Sequence, residues 1–130
     1  MSIFESTVTV NSTVEKVYTF LADMNNHKAL MPDNVINWTS TADEASFNIE
    51  NITRLSLKIS ERIVNQLVRI IPAEKAPFEM ELKWVLTPDG TSTKATFTIN
   101  ADLNMMMKMV ASSPLKKLTE EQTHRLVKLL

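Results

Sequence analysis

The chain has 130 residues, 44% hydrophobic and 22% charged, with a net charge of −1 and no cysteine. A chain of this size buries about two thirds of its unfolded surface, so a single domain over residues 1–130 is expected to hold its core without staples. The composition excludes disulfides, thiolate zinc sites and thiol catalysis. It also lacks the basic footprint of a nucleic-acid binder.

No stretch approaches the roughly 18 apolar residues of a membrane span, so no integral membrane segment is expected. The opening Met1-Ser2-Ile3-Phe4-Glu5 has none of the charged-then-apolar order of an export signal. A cytoplasmic location is therefore expected. The Asn-x-Ser/Thr triplets at Asn11, Asn37 and Asn51 read as chance in an Asn- and Thr-rich chain.

In chain order, Ser2 to Val10 alternates, with Val8 and Val10 on one face and Thr7 and Thr9 on the other, which predicts a strand. Ser12-Thr13-Val14-Glu15 matches a capping box with Ser12 as the cap. Val14, Val17, Tyr18 and Leu21 follow at helical spacing and predict a short helix over Thr13 to Asp23. A second short helix is expected over Asn25 to Leu30, stopped before Pro32.

From Val35 the period becomes two. Strands are predicted over Val35–Ser40, Glu44–Glu50, Thr53–Arg62, Gln66–Ile71, Pro77–Thr87 and Thr91–Leu103. The strongest signal is the turn Thr87-Pro88-Asp89-Gly90 between two long alternating runs. Phe78, Met80, Leu82, Trp84 and Leu86 share one face of the first run, and Phe97, Ile99 and Ala101 one face of the second. Leu57 and Ile59 repeat the pattern, as does Phe47 with Ile49.

A sheet of about seven antiparallel strands, apolar on one side, needs a cover. The candidate is Asn104 to Leu130, roughly 39 Å long if helical at about 1.5 Å per residue. Met107, Ala111, Leu115, Leu118, Gln122, Leu126 and Leu129 form one stripe along it. Ser113-Pro114 predicts a kink or a restart. The segment is mildly basic, with five Lys/Arg against two Asp/Glu, where the rest of the chain has nine against thirteen.

The order of one strand, two short helices, six antiparallel strands and a long final helix resembles the helix-grip fold of the START-like superfamily, also called SRPBCC. That group includes polyketide cyclases and dehydratases, coenzyme-Q-binding proteins and lipid-transfer domains. The resemblance spans the chain and rests on Val8 through Leu21 with the following Asp23-Met24-Asn25-Asn26, on Phe78 to Leu86 leading to Thr93-Lys94-Ala95-Thr96-Phe97, and on the final helix. It implies an α+β fold with a hollow between the curved sheet and that helix, used in relatives for small apolar molecules. It carries no catalytic residues.

The residues themselves supply a lining. Trp38, Phe47, Leu57, Ile59, Phe78, Met80, Leu82, Trp84, Phe97 and Ile99 face the helix stripe of Met107, Ala111, Leu115, Leu118 and Gln122. Periodicity does not separate a lined hollow from a filled core.

Among polar groups, Tyr18 and Gln122 are the ones expected to turn inward, and Glu61 and Arg69 are expected near exposed strand ends. His27 and His124 have no carboxylate at catalytic or ligand spacing and read as surface histidines, so no metal and no cofactor is implied. Met105, Met106, Met107 and Met109 read as core filling at the start of the helix, or as an adaptable pocket wall. The function expected is binding or transport of a small hydrophobic ligand: a lipid, a quinone or a polyketide-like compound. A cyclase or dehydratase enzyme and a ligand-free module for a protein partner are the alternatives; no residue points to an oligomeric state.

Overall fold

The computed structural model describes residues 2–76 and 78–130. Seven strands, β1 (Ser2–Val10), β2 (Val35–Ser40), β3 (Glu44–Ile49), β4 (Thr53–Ile63), β5 (Leu67–Pro72), β6 (Met80–Asp89) and β7 (Ser92–Ala101), form one antiparallel sheet. Its order is β1-β7-β6-β5-β4-β3-β2. Between β1 and β2 lie α1 (Val14–Leu21) and α2 (Met24–His27), the latter continuing into a 3-10 turn over Lys28–Leu30. The long helix α3 (Met105–Leu129) closes the chain's order of elements. This is the covered antiparallel sheet expected from the alternation and the final amphipathic run, in the α+β helix-grip order that the resemblance implies.

The predicted strands stand with small shifts at their ends. β6 begins at Met80, after Phe78 and Glu79; the expected start at Pro77 lies outside the described residues. The β6–β7 hairpin turns on Gly90 and Thr91, with Asp89 paired to Ser92 and Gly90 at φ +63°. Elsewhere asparagine supplies the left-handed backbone that glycine ordinarily takes: Asn37, Asn51 and Asn65 have φ of 56°, 65° and 61°. Two of the three Asn-x-Ser/Thr triplets thus have a conformational reason for their asparagine.

Two irregularities change which side chains face inward. Between Ile59 and Glu61 the register to β5 shifts, so that Glu61 pairs with Arg69 and Arg62 with the buried Val68. The extra residue turns Glu61 outward, where Arg69 meets it at 3.6 Å. It brings Arg62 onto the inner side, where its guanidinium donates to Ala22 O at 3.0 and 2.9 Å and pairs with Asp43 at 2.8 Å. The end of α1 and the β2–β3 connection are thereby tied to one side chain. A second shift lies in β2 between Ile36 and Thr39, beside Trp38.

The helices cover the inner face unevenly. α3 packs on β1, β7 and the 3-10 turn, while α1 lies over β5, β6 and β7 and α2 against β3. Threonines anchor α3: Thr123 Oγ1 and Ser6 Oγ of β1 are 2.7 Å apart.

Two local expectations are corrected and a third is narrowed. Thr13, not Ser12, caps α1, accepting from Lys16 N at 3.4 Å. Ser12 is buried instead, donating from Oγ to Leu130 O at 2.9 Å, so a tertiary bond outcompetes the local cap. Of the kink or restart expected at Ser113-Pro114, the restart is absent: α3 is one helix through Pro114, whose ring nitrogen leaves Val110 O without its usual helical donor. Leu129, placed on the apolar stripe, is 49% exposed because the stripe drifts off the sheet at the last turn.

Candidate functional site

The sheet's inner face and α3 bring the predicted pocket residues together. Phe47, Leu57, Phe78, Met80, Leu82, Trp84, Phe97 and Ile99 are buried in one core with Ala111, Leu115 and Leu118, and Gln122 is buried beside them. Tyr18, Trp38, Ile59 and Met107 pack against that core but remain partly exposed. The periods of two and of three to four thus selected one connected set.

The centre of that set is filled. Trp84, Phe97, Ile99 and Ala111 have 0% accessible surface. A void wide enough for water against any of those walls would register as accessible surface, so their side chains meet each other there. Trp84 stacks on Phe97 with centroids 4.5 Å apart and planes at 24°. A similar pair stands on the far limb of the sheet, where Trp38 stacks on Phe47 at 5.1 Å and 16°. In both tryptophans the indole Nε1 is buried and finds no acceptor among the described residues. A buried unpaired donor costs about 1–3 kcal/mol, so two on one inner face call for an explanation.

Trp38 is where the inner wall reaches solvent. A recess of about 360 Å³ lies between the 3-10 turn and β2, lined by Lys28, Met31, Pro32, Asp33, Val35, Ile36, Asn37 and Trp38. The buried Asn34 Oδ1, in the same segment, also lacks a partner. The bulge beside Trp38, with Asn37 in the left-handed region, places the edge strand's side chains out of simple alternation there. A more open depression of about 570 Å³, lined by Thr13, Glu15, Lys16, Thr19, Phe20, Asn26 and Leu130, lies against the outer side of α1 and includes none of the predicted residues.

The interior carries polar groups that the sequence reading passed over. His27, expected at the surface, is 1% exposed, its Nε2 donating to Leu21 O at 2.8 Å. Burial pushes its pKa below 6.5, against the smaller upward pulls of the Leu21 bond and of Asp23. His124 is exposed, as expected. Thr119 and Thr123 are buried, Thr119 Oγ1 donating to Leu115 O at 2.8 Å and Thr123 Oγ1 to Glu120 O at 2.9 Å. Their signal was present: Leu115, Thr119 and Thr123 step by four along the inner stripe.

The methionines correct the core-filling expectation. Met105, Met106 and Met109 are 82%, 74% and 84% exposed, and only Met107 turns toward the core. Among the described residues no group of three or more His, Asp or Glu side chains is placed to hold a metal ion. No described helix is long and apolar enough to cross a membrane.

The sequence matches no protein-family model and no curated protein. Solved structures do match over nearly the whole chain. A START superfamily protein from Mycobacterium smegmatis superposes with a TM-score of 0.71 at 14% identity, covering 98% of this chain and 99% of the other. The Aha1 dimer from Colwellia psychrerythraea matches at 0.68 and 18%, covering 99% and 93%. The di-domain ARO/CYC protein BexL of the BE-7585A biosynthetic pathway matches at 0.67 and 12%, covering 97% of this chain and 46% of its own length. The chain has the START-like, or SRPBCC, helix-grip fold. Within that class the three structures differ in kind, and at these identities what they share with this chain is the fold.

Proposed function

We propose that the chain binds a small, mainly apolar molecule of lipid, quinone or polyketide-like character, which enters at the Trp38 recess and lodges between the sheet's inner face and α3. The observation that carries this reading is Trp38 itself. It belongs to the predicted lining, it opens onto a recess of about 360 Å³, and its buried indole N–H has no acceptor. That volume falls in the range of ordinary small-molecule sites. Apolar burial at about 25 cal/mol per Å² would supply the affinity, and a ligand carbonyl reaching the indole N–H once the Trp38 ring turns would supply orientation. Because the centre around Trp84 is filled, a ligand larger than the recess must displace partly exposed side chains such as Ile59, Trp38 or Met107.

The two tryptophans make the test direct, since the chain has no others. Titration with a panel of lipids, quinones and polyketide-like aromatics should change indole emission and raise the thermal midpoint for at least one class. If emission and midpoint stay fixed across the panel, the reading falls.

One observation favours a second reading, a surface for a protein partner. Met105, Met106, Met109 and Val110 expose a contiguous apolar tip at the start of α3, and methionine-rich surfaces adapt to varied partners. A pull-down that returns no stoichiometric partner would count against it. The cyclase or dehydratase alternative needs two inward polar groups in mutual reach, and no hydrogen bond joins Tyr18 to Gln122 in the described set.

A further inference from the structure

Independently of the ligand-binding reading, we propose that Met105, Met106 and Met109, at the start of α3, form a three-thioether site for one soft monovalent metal ion, Cu(I) or its analogue Ag(I). The other described methionines serve the fold: Met24 and Met80 are buried, and Met31 and Met107 pack against the core. The three at the tip are 82%, 74% and 84% exposed, so packing makes no use of their sulfurs. Their spacing brings them together. Met109 lies three residues after Met106 and four after Met105, the separations that make side chains neighbours on a helix, with Cβ atoms about 5–6 Å apart. Met107, two residues before Met109, falls on the other side of the helix and turns to the core.

The backbone beneath the three is fixed. Met107 N–H donates to Asn104 Oδ1 at 2.8 Å and Lys108 N–H to Asn104 O at 2.9 Å, so the first turn is closed and α3 is helical from Met105. Flexible, polarisable side chains on a fixed turn converge on one ion without moving the fold. Thioether sulfur is a soft, neutral donor that selects Cu(I), whereas carboxylates and carbonyls suit hard divalent ions. The surroundings sharpen that choice. From Leu103 to Thr119 the chain has no Asp, Glu, His or Cys, while Lys108 and the positive end of the helix dipole oppose any cation. That repulsion is proportional to charge, so a divalent ion meets twice the penalty and finds no anionic ligand in this stretch to offset it. A merely apolar contact surface would be served equally well by leucine, and this difference supplies the test.

The experiment adds silver nitrate to the full chain in chloride-free buffer and follows the methionine methyl groups by NMR. One Ag(I) per chain should shift the Met105, Met106 and Met109 methyls together and leave those of Met24 and Met80 in place. Cu(I), kept reduced with ascorbate, should compete for the same site, and Zn(II) should not. Thioethers have no proton to lose, so the affinity should be equal above and below the ordinary histidine pKa of about 6.5. Each of Met105→Leu, Met106→Leu and Met109→Leu should weaken binding by about tenfold or more, a loss easily resolved by titration. The triple leucine variant should abolish it while keeping the metal-free thermal midpoint of the parent, because apolar bulk is preserved at exposed positions. Tip methyls that stay in place at millimolar silver would overturn the inference. So would a silver response that survives in the triple leucine variant, or one that Zn(II) reproduces.

Discussion

Two tryptophan–phenylalanine stacks face the inside of one sheet, and they have opposite surroundings. Trp84 and Phe97 sit on β6 and β7, strands with neighbours on both sides, and neither ring has any accessible surface. Trp38 and Phe47 sit on β2 and β3, where β2 is the last strand of the sheet and is bulged beside the tryptophan. The side-chain pair is the same, and so is the unpaired indole N–H. What differs is the number of flanking strands. In the middle of the sheet the stack is enclosed and serves the fold; at the edge Trp38 keeps one side open, as the proposed ligand entry requires.

This contrast can be broken by substitution. Trp84→Ala should cost about 3–5 kcal/mol of unfolding free energy in denaturant titrations, the range for truncating a fully buried aromatic. Trp38→Ala should cost about 1–2 kcal/mol, since the side chain is only partly buried. Equal costs would mean that the edge stack is as structural as the central one.

Acid should sharpen the contrast through His27, which sits in α2, packed beside β3. Its folded-state pKa is lowered, so the unfolded chain binds the proton more readily. The stability it contributes is therefore complete above about 6.5 and is lost as pH falls below that value toward the folded pKa. The expected outcome is that mild acid red-shifts Trp38 emission in Trp84→Phe before Trp84 emission moves in Trp38→Phe. His27→Gln, which keeps a donor for Leu21 O, should remove the difference. Simultaneous shifts would show that His27 reports only on global unfolding.

The smallest effect is expected at the start of α3. Met105→Ser, Met106→Ser and Met109→Ser should each stay within about 0.5 kcal/mol of the parent and leave both indole signals unchanged, because these side chains are more than 70% exposed. A loss of ligand response in the triple variant would instead tie the methionine tip to the site.

The strands, the hairpin at Gly90 and the inner stripe of α3 were legible because each follows a period of two or of three to four over many residues. That these residues share one inner-facing core was legible for the same reason, from Phe47 on β3 to Gln122 on α3. What escaped depends on contacts that no period encodes. Ser12 and Thr13 are both competent caps, and only a bond to Leu130 O, 118 residues away, decides between them. His27 is buried because its ring answers a carbonyl left free at the end of α1. The extra residue between Ile59 and Glu61 reverses the alternation, and with it the roles of Glu61 and Arg62. Whether the inner residues enclose a hollow or fill it turns on side-chain volumes and sheet curvature, to which hydrophobic spacing is blind.

The pairing of β1 sets a timetable for folding. Its one strand partner is β7, with Ser2 opposite Ala101 and Val10 opposite Thr93, and its link to α3 through Ser6 and Thr123 spans 117 residues. Emerging from a ribosome at about 5–20 residues per second, β1 would wait on the order of ten seconds for those partners, with Phe4, Val8 and Val10 uncovered. Closure over such sequence distances places the protein among slow folders, in the millisecond-to-second range once synthesis is complete. β1, made well before β7 and α3, is thus among the last of these elements to be secured.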